Sequence, residues 1–222
     1  ATGELTVVPT VEVVGLDTED GPRGRRITRV RTTGGDIETS TVVIAAGVWS
    51  PKLGDMAGIS IPLTPAVHQM ISVGPIPILA ATVGELGYPI VRDMDTNMYE
   101  RQHGGDLEVG SYAHRTIHLD PDEIPSIAAS ALSPTELPFT QEDFELQMEQ
   151  ALELVPEVLG DESVGIRHAI NGLLSLTPDG NPIIGETEVK GLWSVAAIWI
   201  KEAPGIARTV AEWMTDGKPE ID

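Results

Sequence analysis

Two segments of this chain end apolar strands in residues too small to fill space. The first, Thr41 to Pro51, reads TVVIAAGVWSP, so that Val42-Val43-Ile44 runs into Ala45-Ala46-Gly47 before Val48 and Trp49. The second is GLWSVAAI, Gly191 to Ile198, followed by Pro204-Gly205 and a helical pattern. Just ahead of it stands Thr177-Pro178-Asp179-Gly180-Asn181-Pro182. Small residues let backbone N–H groups approach a flat ring closely, and ligands of open α/β sheets lie at the carboxyl ends of strands. A helix N-terminus adds unpaired N–H groups and a partial positive charge, suited to an electron-rich carbonyl or a developing anion. The plainer alternative is two ordinary strand-to-turn junctions, and neither junction taken singly separates the two readings.

Other chemistry is weaker or absent. His114 and His118 are four apart, a metal-binding spacing on a helix, but GSYAHRTIH reads as a strand, so no metal site is expected. Asp93, Asp95 and Asn97 mimic the start of a calcium loop; Met98 replaces the required turn glycine and Gly104 the closing glutamate. There is no GxSxG elbow, P-loop or HExxH. No GxGxxG dinucleotide fingerprint occurs at any glycine. With no cysteine, disulfides, thiolate metal sites and a cysteine nucleophile are excluded.

The elements that must position these residues follow from periodicity and turn chemistry. Residues 4–16 alternate as a strand, with Pro9 at an edge or bulge. Asp20-Gly21-Pro22-Arg23-Gly24 is a turn, residues 25–32 alternate again, and Gly34-Gly35 suits a tight hairpin. Val42-Val43-Ile44 is apolar at consecutive positions, which predicts a strand buried on both faces, inside a parallel sheet. Residues 49–90 are rich in proline and glycine, with an extended stretch from Pro62 to Val73. YPIVRD, NMYERQ and LEVGSYAHR predict an antiparallel sheet. Thr140 is placed to cap a helix with Asp143 three residues on, and Phe139 and Phe144 to staple it. Phe144, Met148, Ala151, Leu152 and Val155 line one face of that helix, and Pro156 closes it. A last helix opens at Pro204-Gly205, carries Ile206, Val210, Trp213 and Met214 on one face, and is capped by Gly217.

The totals bound the function. A chain of 222 residues can bury a sizeable core. Its net charge is −20, from 34 acidic and 14 basic residues, a surface that repels phosphate backbones, so no nucleic-acid partner is expected. An anionic ligand would need local cations to overcome that field. No apolar run reaches membrane-spanning length, and ATGELTVVPT lacks a signal-peptide pattern, which is compatible with a reducing, cytoplasmic setting. The first residue, Ala1, reads as the start of a processed or cut chain.

Taken in order and spacing, VVIAAGVWSPKLGDMAGISIPLTPAVHQM, MYERQHGG with GSYAHR, LPFTQEDF, and NGLLSLTPDGNPIIGE through AAIWIKEAPGIARTVAEWM resemble one family. It is the D-amino-acid-oxidase-type FAD-dependent oxidoreductases, within them the dimethylglycine oxidase and sarcosine dehydrogenase branch. The resemblance covers nearly the whole chain. It implies an α/β (α+β) fold, an incomplete Rossmann-like FAD domain interrupted by an antiparallel-sheet substrate domain. Residues 1–60 and 166–222 would belong to the FAD domain and 61–165 to the substrate domain. Ala46, Gly47, Val48 and Trp49 would lie along the FAD, and Thr177, Pro178, Asp179, Gly180, Ile200, Lys201, Glu202 and Gly205 near the flavin ring. His68 matches a histidine that relays a proton beside the flavin, and Tyr99 a tyrosine that works with it.

The implied reaction is oxidation of an N-methylated amino acid, of sarcosine or dimethylglycine type, by hydride transfer to flavin. A histidine that titrates near neutrality can take the amine proton. Arg92, Arg101, Arg115 and Lys201 are candidates for the substrate carboxylate, with no choice among them from sequence. Lys201-Glu202 departs from the branch, where small hydroxyl residues or histidine often stand. The resemblance further implies that the dinucleotide-binding motif lies upstream, that this chain alone does not hold FAD tightly, and that a folate-binding region or partner accompanies it. A non-catalytic regulatory paralogue, or one subunit of a split flavoenzyme, stays open as an alternative.

Overall fold

Turn chemistry closes the first hairpin. In the computed structural model, which describes residues 5–22, 24–82, 84–131 and 133–221, β1 (Val13–Gly21) pairs antiparallel with β2 (Gly24–Thr32) around Gly21↔Gly24. Leu16 and Ile27 are buried, while Arg26, Arg29 and Arg31 meet Glu19 and Asp17 on the exposed side. The strand expected over residues 4–16 starts only at Val13; Leu5, Val7 and Val8 are exposed and residues 9–10 form a turn. An alternating pattern needs a neighbouring strand to become a ladder, and residues 5–12 join none of the described sheets. Glu4 of that expected strand, Ala1 and the turn residue Arg23 lie outside the described residues.

After the turn at Thr33-Gly34, β3 (Ile37–Glu38) pairs with β2. Then β4 (Val42–Ile44) runs through a 3-10 turn over Gly47–Trp49 into α1 (Ser50–Met56), a helix hidden in the proline- and glycine-rich region. Pro51 stands in its first turn, where a missing N–H costs nothing. β5 (Thr64–Gly74) is the extended stretch seen in the sequence. It leads through α2 (Pro77–Ala80) to β6 (Val91–Asp93), β7 (Met98–His103) and β8 (Asp106–Ser111). Next come β9 (Glu136–Leu137), α3 (Glu145–Leu154), α4 (Pro156–Leu159) and β10 (Gly165–Leu176), a twelve-residue strand that sequence patterning does not single out. The chain finishes with β11 (Ile183–Glu186), β12 (Leu192–Ala196) and α5 (Ala203–Asp216).

The chain divides into two units, Ala1–Pro65 with Ser175–Asp222, and Ala66–Leu174. In the first unit, a three-stranded sheet has the order β11-β12-β4, with β4 parallel to β12 through Leu192↔Val42 and Ser194↔Ile44. Ile27, Ile44, Ile59, Ile61 and Leu192 form its core. β4 is an edge strand among the described residues and Val43 is 42% exposed, so burial on both faces is not found. Consecutive apolar residues bury both faces only where something covers each of them. On α5, Trp213 meets Trp193 edge-on at 5.6 Å between ring centres, and Gly185 leaves room for the Trp213 ring. Gly217 ends the helix in the left-handed region, its N–H donating to Trp213 O.

In the second unit, six strands run in the order β6-β7-β8-β5-β10-β9. Period two sorts β7: Met98, Glu100 and Gln102 are buried, while Tyr99, Arg101 and His103 take the opposite face. The buried face packs Ile71, Met98 and Val109 with Phe144 and Ala151. The rings of Phe139 and Phe144 touch at 5.5 Å, as the staple requires. The cap differs from expectation. Thr140 Oγ1 donates to Asp143 Oδ2 (3.0 Å) instead of accepting a backbone N–H, its own N–H donates to Gln69 Oε1 (2.8 Å), and a 3-10 turn over Glu142–Phe144 precedes α3. Buried Gln69 competes for the threonine and draws the chain out of capping geometry. Leu152 is 38% exposed, off the core face, and Pro156 both ends α3 and opens α4.

Candidate active site

One face of the six-stranded sheet gathers aromatic and titratable side chains at the junction of β5, β7 and β8. Tyr99 stands directly opposite Gly110 in the β7–β8 ladder. A Cβ on Gly110 would collide with the Tyr99 ring, so the tyrosine lies flat across the neighbouring strand because that position is bare. This brings Tyr99 Oη to 2.8 Å from His68 Nε2. The Tyr112 ring stacks on the His68 ring at 4.3 Å and 9° between planes, and His114 Nε2 lies 3.4 Å from His68 Nδ1. The sequence resemblance named His68 and Tyr99. Tyr112 and His114 were missed as their partners; they follow Gly110 at i, i+2 spacing, but the strand expected over LEVGSYAHR ends at Ser111, so both lie just past β8.

Environment sets the protonation of this cluster. Burial first, and the neighbouring His114 second, pull the His68 imidazole down from 6.5 to about 4, so it is neutral at pH 7. Burial likewise raises the Tyr99 hydroxyl, with Tyr112 and Glu108 adding to the rise and Arg92 opposing it. Tyr99 is therefore a neutral phenol, and His68 a neutral base within hydrogen-bond reach of it.

The four candidate cations separate. Arg101 Nε donates to Glu108 Oε2 at 2.7 Å, Arg115 to Asp143 Oδ1 at 3.0 Å, and Lys201 lies 3.4 Å from Glu202 and 5.7 Å above the Trp199 ring. Arg92, opposite Tyr99 in the β6–β7 ladder, meets no carboxylate among the described residues; its guanidinium lies 5.6 Å over the Tyr112 ring. His118 forms a backbone bridge with Ala66, and among the described residues no group of three or more His, Cys, Asp or Glu converges as metal ligands do. Asp93 closes a local turn by accepting from Asp95 N–H and the Thr96 hydroxyl.

In the first unit the two strand ends singled out from sequence emerge side by side, because β4 and β12 are parallel neighbours. Gly47 has φ +54°, a conformation that disfavours any side chain, and a Cβ there would meet nothing within 4 Å. A Cβ on Gly180 or Gly205 would likewise face open space. Val48 is buried and Trp49 half-buried beneath this edge. At the end of β12, Ala197 also takes a positive φ (+58°), and the chain then exposes Trp199 and Ile200, the latter at 94%. Thr177, Asp179 and Asn181 are tied in a turn by Asn181 N–H to Asp179 Oδ1 and Thr177 Oγ1 to Asn181 O. Pro178 and Gly180 are exposed in it, and Glu202 leads into α5. Bare backbone beside paired strand ends fits a planar cofactor held by main-chain groups.

Comparison with known proteins finds one family model running through both units. The family model for FAD dependent oxidoreductase (DAO) matches residues 5–213. Mitochondrial sarcosine dehydrogenase of Mus musculus is 32% identical over 97% of this chain and 22% of its own length. The 4-methylaminobutanoate oxidase (formaldehyde-forming) of Paenarthrobacter nicotinovorans is 31% identical over 90% of this chain and 23% of its own. This chain thus spans about a fifth of the length of these relatives. Among solved structures, L-proline dehydrogenase from P. horikoshii superposes with a TM-score of 0.70 at 26% identity, over 95% of this chain and 51% of that one. With a family model covering almost every residue, and the same fold in a solved relative, the chain belongs to the DAO family of FAD-dependent oxidoreductases.

Proposed function

We propose that the protein oxidises an N-methylated amino acid, of the sarcosine or dimethylglycine type, in an FAD-dependent reaction. Ala46, Gly47, Val48 and Trp49, the turn from Thr177 to Gly180, and Ile200 to Gly205 would hold the FAD. When bound, the flavin supplies a hydride acceptor. The rest of the work falls to side chains of this chain. An amine gives up hydride from carbon only after its nitrogen has a free electron pair, so the ammonium proton needs a home. His68, neutral at pH 7, is the base, and Tyr99 orients or passes the proton to it. The Tyr112 ring holds the imidazole plane by stacking.

The observation that carries the amino-acid reading is Arg92. It is the one candidate cation with no carboxylate partner among the described residues, and it sits across the ladder from Tyr99. A cation left unpaired in a chain of net charge −20 suits a substrate carboxylate. The substrates named for the relatives support this class: sarcosine and 4-methylaminobutanoate are both N-methylated amines that carry a carboxylate.

The test is anaerobic mixing of the flavin-loaded protein with sarcosine, dimethylglycine and a methylated amine lacking a carboxylate, following flavin absorbance. The expected outcome is bleaching by the amino acids, with Arg92→Met raising the apparent Kd for them by roughly 10- to 100-fold, the size of a lost charged hydrogen bond of about 1.5–3 kcal/mol. Equal bleaching by the amine without a carboxylate would remove Arg92 from substrate binding.

A further inference from the structure

His68 has hydrogen-bonding neighbours at both ring nitrogens, and the direction of each bond follows from the group at the far end. His114 Nδ1 lies 2.7 Å from the backbone oxygen of Arg115, which can only accept, so Nδ1 of His114 carries a hydrogen. In the neutral ring its Nε2 is then a bare acceptor. That nitrogen faces His68 Nδ1 at 3.4 Å, at the long end of hydrogen-bond reach, so His68 Nδ1 must be the donor. His68 Nε2 is thereby an acceptor, and the bond of 2.8 Å from Tyr99 Oη runs from the phenol to the imidazole. The chain of donors reads Tyr99, His68, His114, Arg115 carbonyl, with every bond pointing the same way.

We propose that His114 is a positioning residue that fixes the tautomer of His68 and receives its Nδ1 proton when His68 is protonated from the Tyr99 side. The proton movements balance. A substrate ammonium gives one proton to Tyr99 Oη; the phenol's own proton passes to His68 Nε2; the His68 Nδ1 proton passes to His114 Nε2. Tyr99 and His68 end neutral, His114 ends as an imidazolium still bonded to the Arg115 carbonyl, and the amine is left with its electron pair. The depressed basicity of His68, caused first by burial and then by His114, disfavours leaving the positive charge on the His68 ring. The groups that face the pair are Tyr99, Tyr112 and, through Tyr112, Arg92; Glu108 acts on Tyr99 across the β7–β8 ladder. Arg92 is a cation and adds to the cost of charge at His68, while His114 stands on the side of the ring away from Tyr99. The catalytic half of this inference rests on the amine-oxidation reading; the tautomer half does not.

Two variants separate them. Nitrogen-15 histidine spectra of the intact protein report which ring nitrogen of His68 carries hydrogen, whatever the substrate. The expected result is hydrogen on Nδ1 in the wild type, and its loss in His114→Phe, which keeps a flat ring and removes the acceptor. His114→Gln keeps an acceptor oxygen, so the tautomer should persist. Because an amide cannot carry the proton onward, flavin reduction by the amine should slow roughly 10- to 100-fold, the size seen when the partner orienting a ligating histidine is removed. Hydrogen on Nε2 of His68 in the wild type, or a tautomer unchanged in His114→Phe, overturns the proposal. So does full-rate reduction in His114→Gln. If His114→Phe does not fold, the wild-type spectrum and His114→Gln still decide it. Should no amine reduce the flavin at all, the substrate reading fails while the spectra still judge the tautomer.

Discussion

At the scale of single residues, the proposed site rests on an imidazole that burial keeps uncharged at neutral pH. His68 has its folded-state basicity lowered from 6.5 to about 4. Between those values the unfolded chain binds the proton and the folded chain does not, so stability is full above pH 6.5 and falls as pH drops toward 4. The shift corresponds to an upper bound of roughly 3.5 kcal/mol, at about 1.4 kcal/mol per pH unit. Replacing His68 with Gln, which cannot titrate, should flatten the dependence of Tm on pH between 4 and 6.5. Thermal unfolding across that interval checks it, and an unchanged slope would assign the acid sensitivity to other groups. Arg101, Arg115 and Lys201 show the converse: each spends its charge on a neighbour, and of the four candidates Arg92 alone meets no carboxylate among the described residues.

The strands themselves carry the next layer of the design. Tyr99 reaches His68 because residue 110, directly opposite, has no side chain. Gly110→Ala should push the Tyr99 ring out of place and lower the rate of flavin reduction about as much as Tyr99→Phe, with far-ultraviolet circular dichroism unchanged. Normal activity in the alanine variant would show that Tyr99 can work from another rotamer. On the opposite face of β7, Glu100 is 2% exposed with both carboxylate oxygens lacking a hydrogen-bond partner among the described residues. Burial, with Asp93 adding to it, raises its affinity for a proton. For a carboxyl whose folded value lies above the unfolded 4.5, stability declines as pH rises through that window and stays reduced above it. Glu100→Gln should therefore raise Tm at neutral pH and make little difference well below pH 4.5. A lower Tm at neutral pH would mean that the ionised carboxylate has a partner in solution.

For the molecule as a whole, the balance of 34 acidic against 14 basic residues dominates. Self-repulsion at net charge −20 opposes the compact state. Raising salt from about 0.01 M to about 0.15 M shortens the screening length from about 30 Å to about 8 Å, so Tm should rise over that range. A falling Tm would mean that attractive pairs such as Arg31–Asp17 and Arg208–Glu212 outweigh the repulsion. Among the described residues no helix is long and apolar enough to cross a membrane.

Much was legible in the residues themselves. Alternation marked β2, an extended pattern marked β5, short strand-like runs marked β6 to β8, and the staple of Phe139 on Phe144 and the glycine after α5 were evident from local spacing. These features rest on interactions within a few residues, which is why sequence determines them. Short-range pattern failed where a distant group intervened. Residues 5–12 found no partner strand, Gln69 drew Thr140 out of its capping role, and β4 lies at an edge despite its apolar run. The candidate site divides in the same way. Sequence supplied His68 and Tyr99 through resemblance, and a pool of four cations. Tertiary structure alone set which of those cations meets no carboxylate among the described residues and which groups stand at the two ring nitrogens of His68. Both depend on groups separated by tens of residues, such as His68 and His114, 46 apart, brought within 3.4 Å by the pairing of β5 with β8.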